Sequence, residues 1–409
     1  MIKSITSVKV QGRRVIVRVG FDVPLKKNIH TEEWEAADDT RIKDALRTIE
    51  YLIQNQAKVT LISHLGRPEG RQADKSLWPA AKRLGEFLGM KVVKISSELP
   101  HYPIPHIYFL TEDITKHDYS KLPIPNGSIL FLENLRFYAG EEENDPEFIQ
   151  TLAKFGELYV NEAFSVSHRV SASTYGLAVK LKSYCGIAFE REIKALYRLL
   201  RNPTKPMVIL IGGLKISDKV ESMRNLLKGA SHILLGGAIA NTFLKAKGYE
   251  IGKSKFADES LAKELTRNFK EKIILPVDVV VAHSLEDTPH NAAVSKVMPE
   301  DIILDIGPET IRKFSEYVKN AVTLVWNGPF GMIEIKRYAF GSESMARVFA
   351  GRSKGPAYGV AGGGETLEVL NSAKVTQFVD HVSTGGGAML EFLSGKKLPA
   401  IKVLEANHA

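Results

Sequence analysis

The chain has 409 residues, 44% hydrophobic and 25% charged, which excludes disordered and fibrous classes and allows two domains of ordinary size. No apolar stretch reaches the roughly 20 residues of a bilayer span, and the first ten residues lack the continuous apolar core of a secretion signal. A formal net charge of +8 favours anionic partners without choosing among nucleic acid, nucleotides and phosphorylated metabolites; the single cysteine, Cys185, excludes an internal disulfide and fits a cytoplasmic reading.

Apolar runs and amphipathic segments alternate from end to end, which predicts parallel α/β sheets. In the first half, strands are predicted at 15–19, 58–63, 91–95, 129–132 and 158–160. A helix is predicted over 39–54, where Ile42, Ala45, Leu46, Ile49 and Ile53 recur at helical spacing behind Asp38 or Asp39 as N-cap. Ser76 is expected to cap a second helix running through Leu88. Five prolines and three histidines fall between Pro100 and Pro125, so no long regular element is expected there. His101, His106 and His117 lack metal-ligand spacing and are read as surface residues. A helical run over 189–200 ends before Asn202-Pro203 and is read as the joint between two α/β lobes. The second half repeats the βα theme, with strands predicted at 207–211, 232–235, 278–282, 302–305, 323–326, 357–360 and 377–382.

Four glycine-rich turns follow apolar runs in that half: Val208-Ile-Leu-Ile-Gly-Gly-Leu-Lys-Ile-Ser-Asp-Lys219, Ile233-Leu-Leu-Gly-Gly237, Tyr358-Gly-Val-Ala-Gly-Gly-Gly-Glu-Thr366 and Val382-Ser-Thr-Gly-Gly-Gly-Ala388. A strand that passes through glycines into a helix exposes amides beside a positive dipole end, an anion cradle. Several on one sheet predict a polyphosphate ligand. The P-loop, dinucleotide-fold and protein-kinase signatures are all missing. The first half instead places basic residues just after strands: His64 and Arg67, Arg136 in Glu133-Asn-Leu-Arg-Phe137, and His168-Arg169, with Arg41 near a helix start. Ligands of open α/β sheets sit outside the carboxyl ends of the strands, and arginines there grip phosphate or carboxylate bidentately. One lobe therefore reads as a nucleotide site and the other as a site for a small, multiply charged anion, with phosphoryl transfer requiring closure. No general base stands out. A carboxylate acceptor is ionised at pH 7 and needs none, so acyl-phosphate chemistry fits better than a sugar or protein kinase reaction.

Together the motifs resemble phosphoglycerate kinase over nearly the whole chain, in order: Val17-Arg-Val-Gly-Phe-Asp-Val-Pro24, Thr40-Arg-Ile42, Ser63-His-Leu-Gly-Arg-Pro68, Glu133-Asn-Leu-Arg-Phe137, Asn161-Glu-Ala-Phe164 with His168-Arg169, Gly212-Gly-Leu-Lys-Ile-Ser-Asp-Lys219, Asp305-Ile-Gly-Pro308, Val325-Trp-Asn-Gly-Pro-Phe-Gly331, Gly362-Gly-Gly-Glu-Thr366 and His381-Val-Ser-Thr-Gly-Gly-Gly387. The resemblance implies two Rossmann-like parallel-sheet lobes joined by a helix and hinge. It implies a 3-phosphoglycerate-binding domain over 1–184, an interdomain helix over 185–201, a nucleotide-binding domain over 202–389 and a tail over 390–409 that packs on the first domain. The implied reaction is reversible transfer of the acyl phosphate of 1,3-bisphosphoglycerate to ADP, with Mg²⁺, giving 3-phosphoglycerate and ATP, in a monomer with no membrane or nucleic-acid partner. By the same resemblance Phe21, Asp22, Arg41, His64, Arg67, Arg136 and Arg169 hold the phosphoglycerate, and Arg41 and Lys215 are catalytic. Gly212, Gly213, Lys219, Gly236, Gly237, Gly307, Asn327, Glu334, Gly363, Gly364, Glu365 and Thr366 serve the nucleotide, with Glu365 on the metal side. Gly385 and Gly386 meet the transferring phosphate. Two positions depart from the family pattern: Gly20 stands where a carboxylate is usual, and Glu365 where Asp is usual. They motivate an alternative, a catalytically weakened homologue that binds nucleotide or nucleic acid; the lack of an aromatic-rich basic patch weighs against it.

Overall fold

The computed structural model describes residues 2–96, 104–201, 203–213 and 220–407. It divides into two compact units, Met1–Ile193 with Lys397–Ala409, and Lys194–Lys396. Among the described residues no helix is long and apolar enough to cross a membrane.

The first unit is built on strands β1 (Arg14–Arg18), β2 (Leu25–Lys27), β3 (Trp34–Ala36), β4 (Lys58–Ile62), β5 (Val92–Ile95), β6 (Ile107–Leu110), β7 (Ile129–Leu132), β8 (Leu158–Asn161) and β9 (Lys182–Cys185). Seven of them form a parallel sheet in the order β5-β6-β7-β4-β1-β8-β9, and β2–β3 is a separate hairpin. The apolar runs are continuous because both faces are covered. Alternate residues point to opposite sides. Val15, Val17, Val59, Leu61, Phe109, Phe131 and Val160 join one core with Ile42, Ile49 and Leu52 of α1 (Thr40–Gln54) and Ala81 and Leu84 of α2 (Trp78–Leu88). Ile16, Ile62, Tyr108, Leu110, Leu130 and Tyr159 join the other. There they meet helices that follow the one-turn α3 (Ala139–Glu142): Leu152 of α4 (Pro146–Ala153) and Leu177 of α5 (Leu177–Lys180).

Three local expectations change. Asp39 is the N-cap residue of α1 but makes no capping bond, because its carboxylate is engaged by Lys43 and Arg83. Asp38 Oδ1 accepts from the Thr40 amide at 3.0 Å instead. Ser76 lies one residue outside the N-cap of α2, accepting from the Trp78 amide at 3.1 Å. His106 is buried rather than on the surface, beside β6, a proline-free tetrapeptide between β5 and β7 that is the short element the proline-rich stretch allows. His101 lies outside the described residues.

Helix α6 (Ile187–Arg201) contains the division between the units. The second unit holds β10 (Met207–Ile211), α7 (Val220–Gly229), β11 (His232–Leu235), α8 (Gly237–Ala246), α9 (Glu259–Phe269), β12 (Ile273–Ile274), β13 (Asp278–Ala282), β14 (His290–Ala293), β15 (Ile302–Ile306), α10 (Pro308–Asn320), β16 (Thr323–Asn327), α11 (Phe340–Lys354), β17 (Tyr358–Gly362), α12 (Gly364–Ser372), β18 (His381–Ser383) and α13 (Gly387–Leu393). Its parallel sheet runs β12-β11-β10-β16-β17-β18. Leu210, Trp326 and Ala361 pack there on Phe314, Phe349 and Leu370.

The expectation of one βα series fails at 278–306. There β13, β14 and β15 form a separate antiparallel sheet, because the seven residues between β13 and β14 are too few for a parallel crossover. The segment expected as strand over 377–382 opens as a 3₁₀ turn, with only its last residues joining β18.

In both parallel sheets the strand order reverses, around β1 in the first unit and between β10 and β16 in the second. Such reversals leave a crevice at the carboxyl ends of the strands.

Candidate active site

At the carboxyl end of β1 the first unit gathers cations around a cavity of about 110 Å³ lined by Arg18, His64, Arg136, Glu141, Glu142 and Arg169, among others. Asn134 sets two of its walls. Its Nδ2 donates to the carbonyls of Leu65 (2.8 Å) and Lys75 (2.9 Å), while its Oδ1 accepts from the amides of Leu65 (3.1 Å) and Arg136 (3.0 Å). Glu133 accepts from the Leu77 amide and the Ser76 hydroxyl. The first two residues of the Glu133-Asn-Leu-Arg motif are thus structural locks that aim Arg136. Its Nη1 donates to the Gly66 carbonyl at 2.5 Å, and its Nε lies 3.0 Å from Glu142 Oε1.

Arg41, in the first turn of α1, donates to the Asp22 carbonyl at 2.7 Å and lies 3.6 Å from the Asp22 carboxylate. That carboxylate accepts from the Gly66 amide at 2.9 Å and lies 3.9 Å from His64 Nε2. Arg67 is exposed and makes no ion pair among the described residues. The Phe21 side chain is not brought to this face: it is fully buried, its ring tilted against Phe131 at 5.9 Å, and its amide donates to Ser63 Oγ. At Gly20 an added Cβ meets nothing nearer than Ser165 Oγ at 3.5 Å, so the backbone does not demand glycine there.

Burial and the neighbouring arginines push the His64 pKa well below its usual range. The geometry also chooses its tautomer. Arg18 Nη2 lies 2.8 Å from His64 Nδ1 and can only donate, so Nδ1 is the acceptor and the proton sits on Nε2, toward Asp22. Arg18 is held by Ser173 Oγ (2.8 Å) and the Val19 carbonyl. Glu141, whose pKa burial raises, accepts from Ser171 Oγ, Ser173 Oγ and the Ser173 amide. Arg18 and Glu141 balance each other's charge within this buried network.

In the second unit the glycine turns divide into two kinds. The amides of Gly212, Gly213, Gly236 and Gly237 are spent on the carbonyls of Asn327, Pro329, Ile211 and Phe330. They cradle no anion. Their glycines serve close approach: a Cβ at Gly212 would overlap the Pro329 carbonyl, and one at Gly236 the Phe330 ring. Gly307 is likewise buried against Asp278, whose carboxylate caps α10 by accepting from the Glu309 (3.0 Å) and Thr310 (2.7 Å) amides. The turn before α12 fits the cradle reading. The first-turn amides of α12, at Gly364, Glu365 and Thr366, donate to no group among the described residues. The turn is tied down by Asn327 Nδ2, which donates to the Gly362 carbonyl (2.8 Å), and by Thr366 Oγ1, which accepts from the Gly328 amide (2.7 Å). Glu365 and Glu334 are exposed. Gly385 donates to Ser383 Oγ, and Gly386 (φ 52°) precedes α13. Lys215 and Lys219 lie outside the described residues.

The phosphoglycerate kinase family model matches residues 5–396. The chain belongs to the phosphoglycerate kinase family. The phosphoglycerate kinase of Dictyoglomus turgidum is 40% identical over 402 residues, 97% of this chain and 96% of that one. That of Thermosipho africanus is 41% identical over 409 residues, with the same coverage. Among solved structures, phosphoglycerate kinase from Coxiella burnetii superposes with a TM-score of 0.84 at 36% identity, covering 100% of both chains. That from Pyrococcus horikoshii OT3 reaches 0.82 at 28%, covering 99% of both. Sequence reasoning on this phosphoglycerate kinase family member missed Arg18, Glu141 and Glu142. For Arg18 a signal existed: an arginine inside an otherwise apolar strand is costly to bury unless it is partnered.

Proposed function

We propose that the chain carries the phosphoglycerate kinase reaction on these two crevices: 1,3-bisphosphoglycerate gives its acyl phosphate to ADP, forming 3-phosphoglycerate and ATP, reversibly. The observation that carries the reading is the cavity of the first unit, where Arg136, Arg169, Arg18 and a neutral His64 converge at the carboxyl ends of strands with Arg41 on the adjoining turn. Fixed forks suit an anion with defined geometry. In this reading Arg136, Arg169, Arg67 and the Nε2–H of His64 hold the phosphoglycerate, while Asp22 orients Arg41 and takes the place of the carboxylate missing at Gly20. The 1–184 segment is then the phosphoglycerate domain, 202–389 the nucleotide domain, and 185–201 the helix between them.

On the nucleotide side, Gly212, Gly213, Gly236 and Gly237 let the nucleoside approach the backbone, Asn327 and the amides of 364–366 face the phosphates, and Glu334 faces the ribose. Lys215 is the mobile cation that follows the phosphoryl group, Lys219 a second phosphate ligand, and Gly385 and Gly386 receive the group in transit. The residues fit a magnesium ion carried by the nucleotide. Such an ion takes one or two protein carboxylates and completes its shell with phosphate and water. The exposed Glu365 supplies one, and no group of three metal-type ligands exists among the described residues. When bound, the ion neutralises phosphate charge. Catalysis by the chain itself is electrostatic, with Arg41 and Lys215 stabilising the charge on the transferring oxygens. A monomer in the cytoplasm completes the reading. Purified protein given 1,3-bisphosphoglycerate, ADP and Mg²⁺ should form ATP, and Lys215→Ala should cut kcat by about 10²–10³-fold; no ATP from the wild type sinks the proposal.

A further inference from the structure

We propose that Glu142 is an internal pseudo-ligand, a carboxylate that engages both arginines of the first-unit site and must swing away before an anionic ligand binds. The inference rests on reading that site as the place of 3-phosphoglycerate.

Glu141 and Glu142 are adjacent on the single turn of α3 but have opposite surroundings. Glu141 is buried and bound by three serine donors, so it belongs to the fold. The Glu142 side chain is 60% exposed, yet its Oε1 lies 3.0 Å from Arg136 Nε and 4.0 Å from Arg169 Nη1. One anionic oxygen therefore meets both arginines, as an oxygen of a bound phosphate or carboxylate would. Arg136 is pinned, with its side chain 9% exposed and Nη1 on the Gly66 carbonyl. Arg169 makes no other ion pair among the described residues. Glu142 itself has no further partner among the described residues, so turning into solvent breaks nothing else. A pinned Arg136 facing an exposed carboxylate that nothing else holds is the arrangement of a displaceable plug.

A phosphate monoester brings roughly −1.5 to −2 charge and three acceptor oxygens, against the single negative charge of Glu142, so it can displace the plug. The two anions cannot share the arginines, because like charges at contact distance repel. Glu142 keeps the guanidinium groups paired while the site is empty and weakens every anion that binds there by the equilibrium cost of its own displacement.

The test is calorimetric titration of the full chain with 3-phosphoglycerate and, separately, with inorganic sulfate. Glu142→Gln should tighten both by about twofold to fivefold, the size expected for releasing a partly exposed ion pair. Glu143→Gln removes the same charge from the neighbouring exposed position and should leave both within about 1.5-fold. Unchanged or weaker binding in Glu142→Gln, or an equal gain in Glu143→Gln, overturns the inference. If the wild type binds no 3-phosphoglycerate while Glu142→Gln still tightens sulfate, the functional reading falls and the plug stands.

Discussion

His64 stays neutral in the first-unit site because of what surrounds it. Arg18 donates to its Nδ1, Arg41, Arg136 and Arg169 add positive field, and burial removes the water that would stabilise a cation. Buried Glu141, part-exposed Asp22 and exposed Glu142 are the carboxylates set against these cations among the described residues. The folded-state pKa is depressed, so as pH falls below 6.5 the unfolded chain takes up a proton that the folded chain refuses, and stability from this residue is lost on acidification. Ring ¹⁵N NMR should show His64 as the Nε2–H tautomer, still uncharged at pH 6.5, and Arg18→Gln should move its titration up toward the usual range. An imidazolium signal at pH 6.5 in the wild type would contradict this. Arg136 and Arg169, which line the cavity, stood out in the chain because a charge just after an apolar run has few structural reasons to be there. Arg18 ends β1 inside the apolar run 15–19, which marks it as partnered, but only the fold shows that its partners are His64 and Ser173.

At the scale of elements, helix N-termini are satisfied in two ways. Asp278 closes α10, and Glu162 closes α6, accepting from the Ala188 (3.0 Å) and Phe189 (2.9 Å) amides and from the Thr48 hydroxyl. The start of α12 is left open. Only an open start can receive an anion, so the four glycine turns that look alike in the chain separate once their amide partners are known. Burial pushes the pKa of Glu162 up to about 7, and that of Asp305, which accepts from the Gly341 and Ile306 amides, also to about 7. Both folded values lie above the ordinary 4.5 and 3.8. Stability from these two acids is therefore complete below the ordinary values and is lost as pH rises through about 7, the opposite sense to His64. Thermal scans from pH 5 to 8 should show a downward trend that is shallower in Glu162→Gln; identical slopes in the two proteins would remove Glu162 as a source.

Across the whole molecule, the last helix, α14 (Pro399–Ala406), belongs to the first unit although it follows the second in the chain. Val403 enters the core beside α4 and α5. Asn407 then accepts from the Ser183 amide (3.1 Å) and donates to the carbonyls of Ala178 (2.9 Å) and Leu181 (3.2 Å). Leaving these groups unpaired costs about 1–3 kcal/mol. Asn407→Ala should thus lower the urea midpoint of the first unit's unfolding, read by hydrogen exchange at Ala178–Ser183; unchanged exchange there would argue against it. The alternation of strand and helix, most strand positions and the family were legible from the chain, because buried parallel strands are unbroken apolar runs and the motif residues lie in fixed order. The placement of β6, the antiparallel β13–β14–β15 sheet, the burial of Phe21 and Gly307, the Arg18–His64 bond and the Glu142 contact were decided only by tertiary structure. Periodicity reports which face of a segment is apolar, whereas hydrogen-bond partners and charge neighbours are set by segments far apart in the chain.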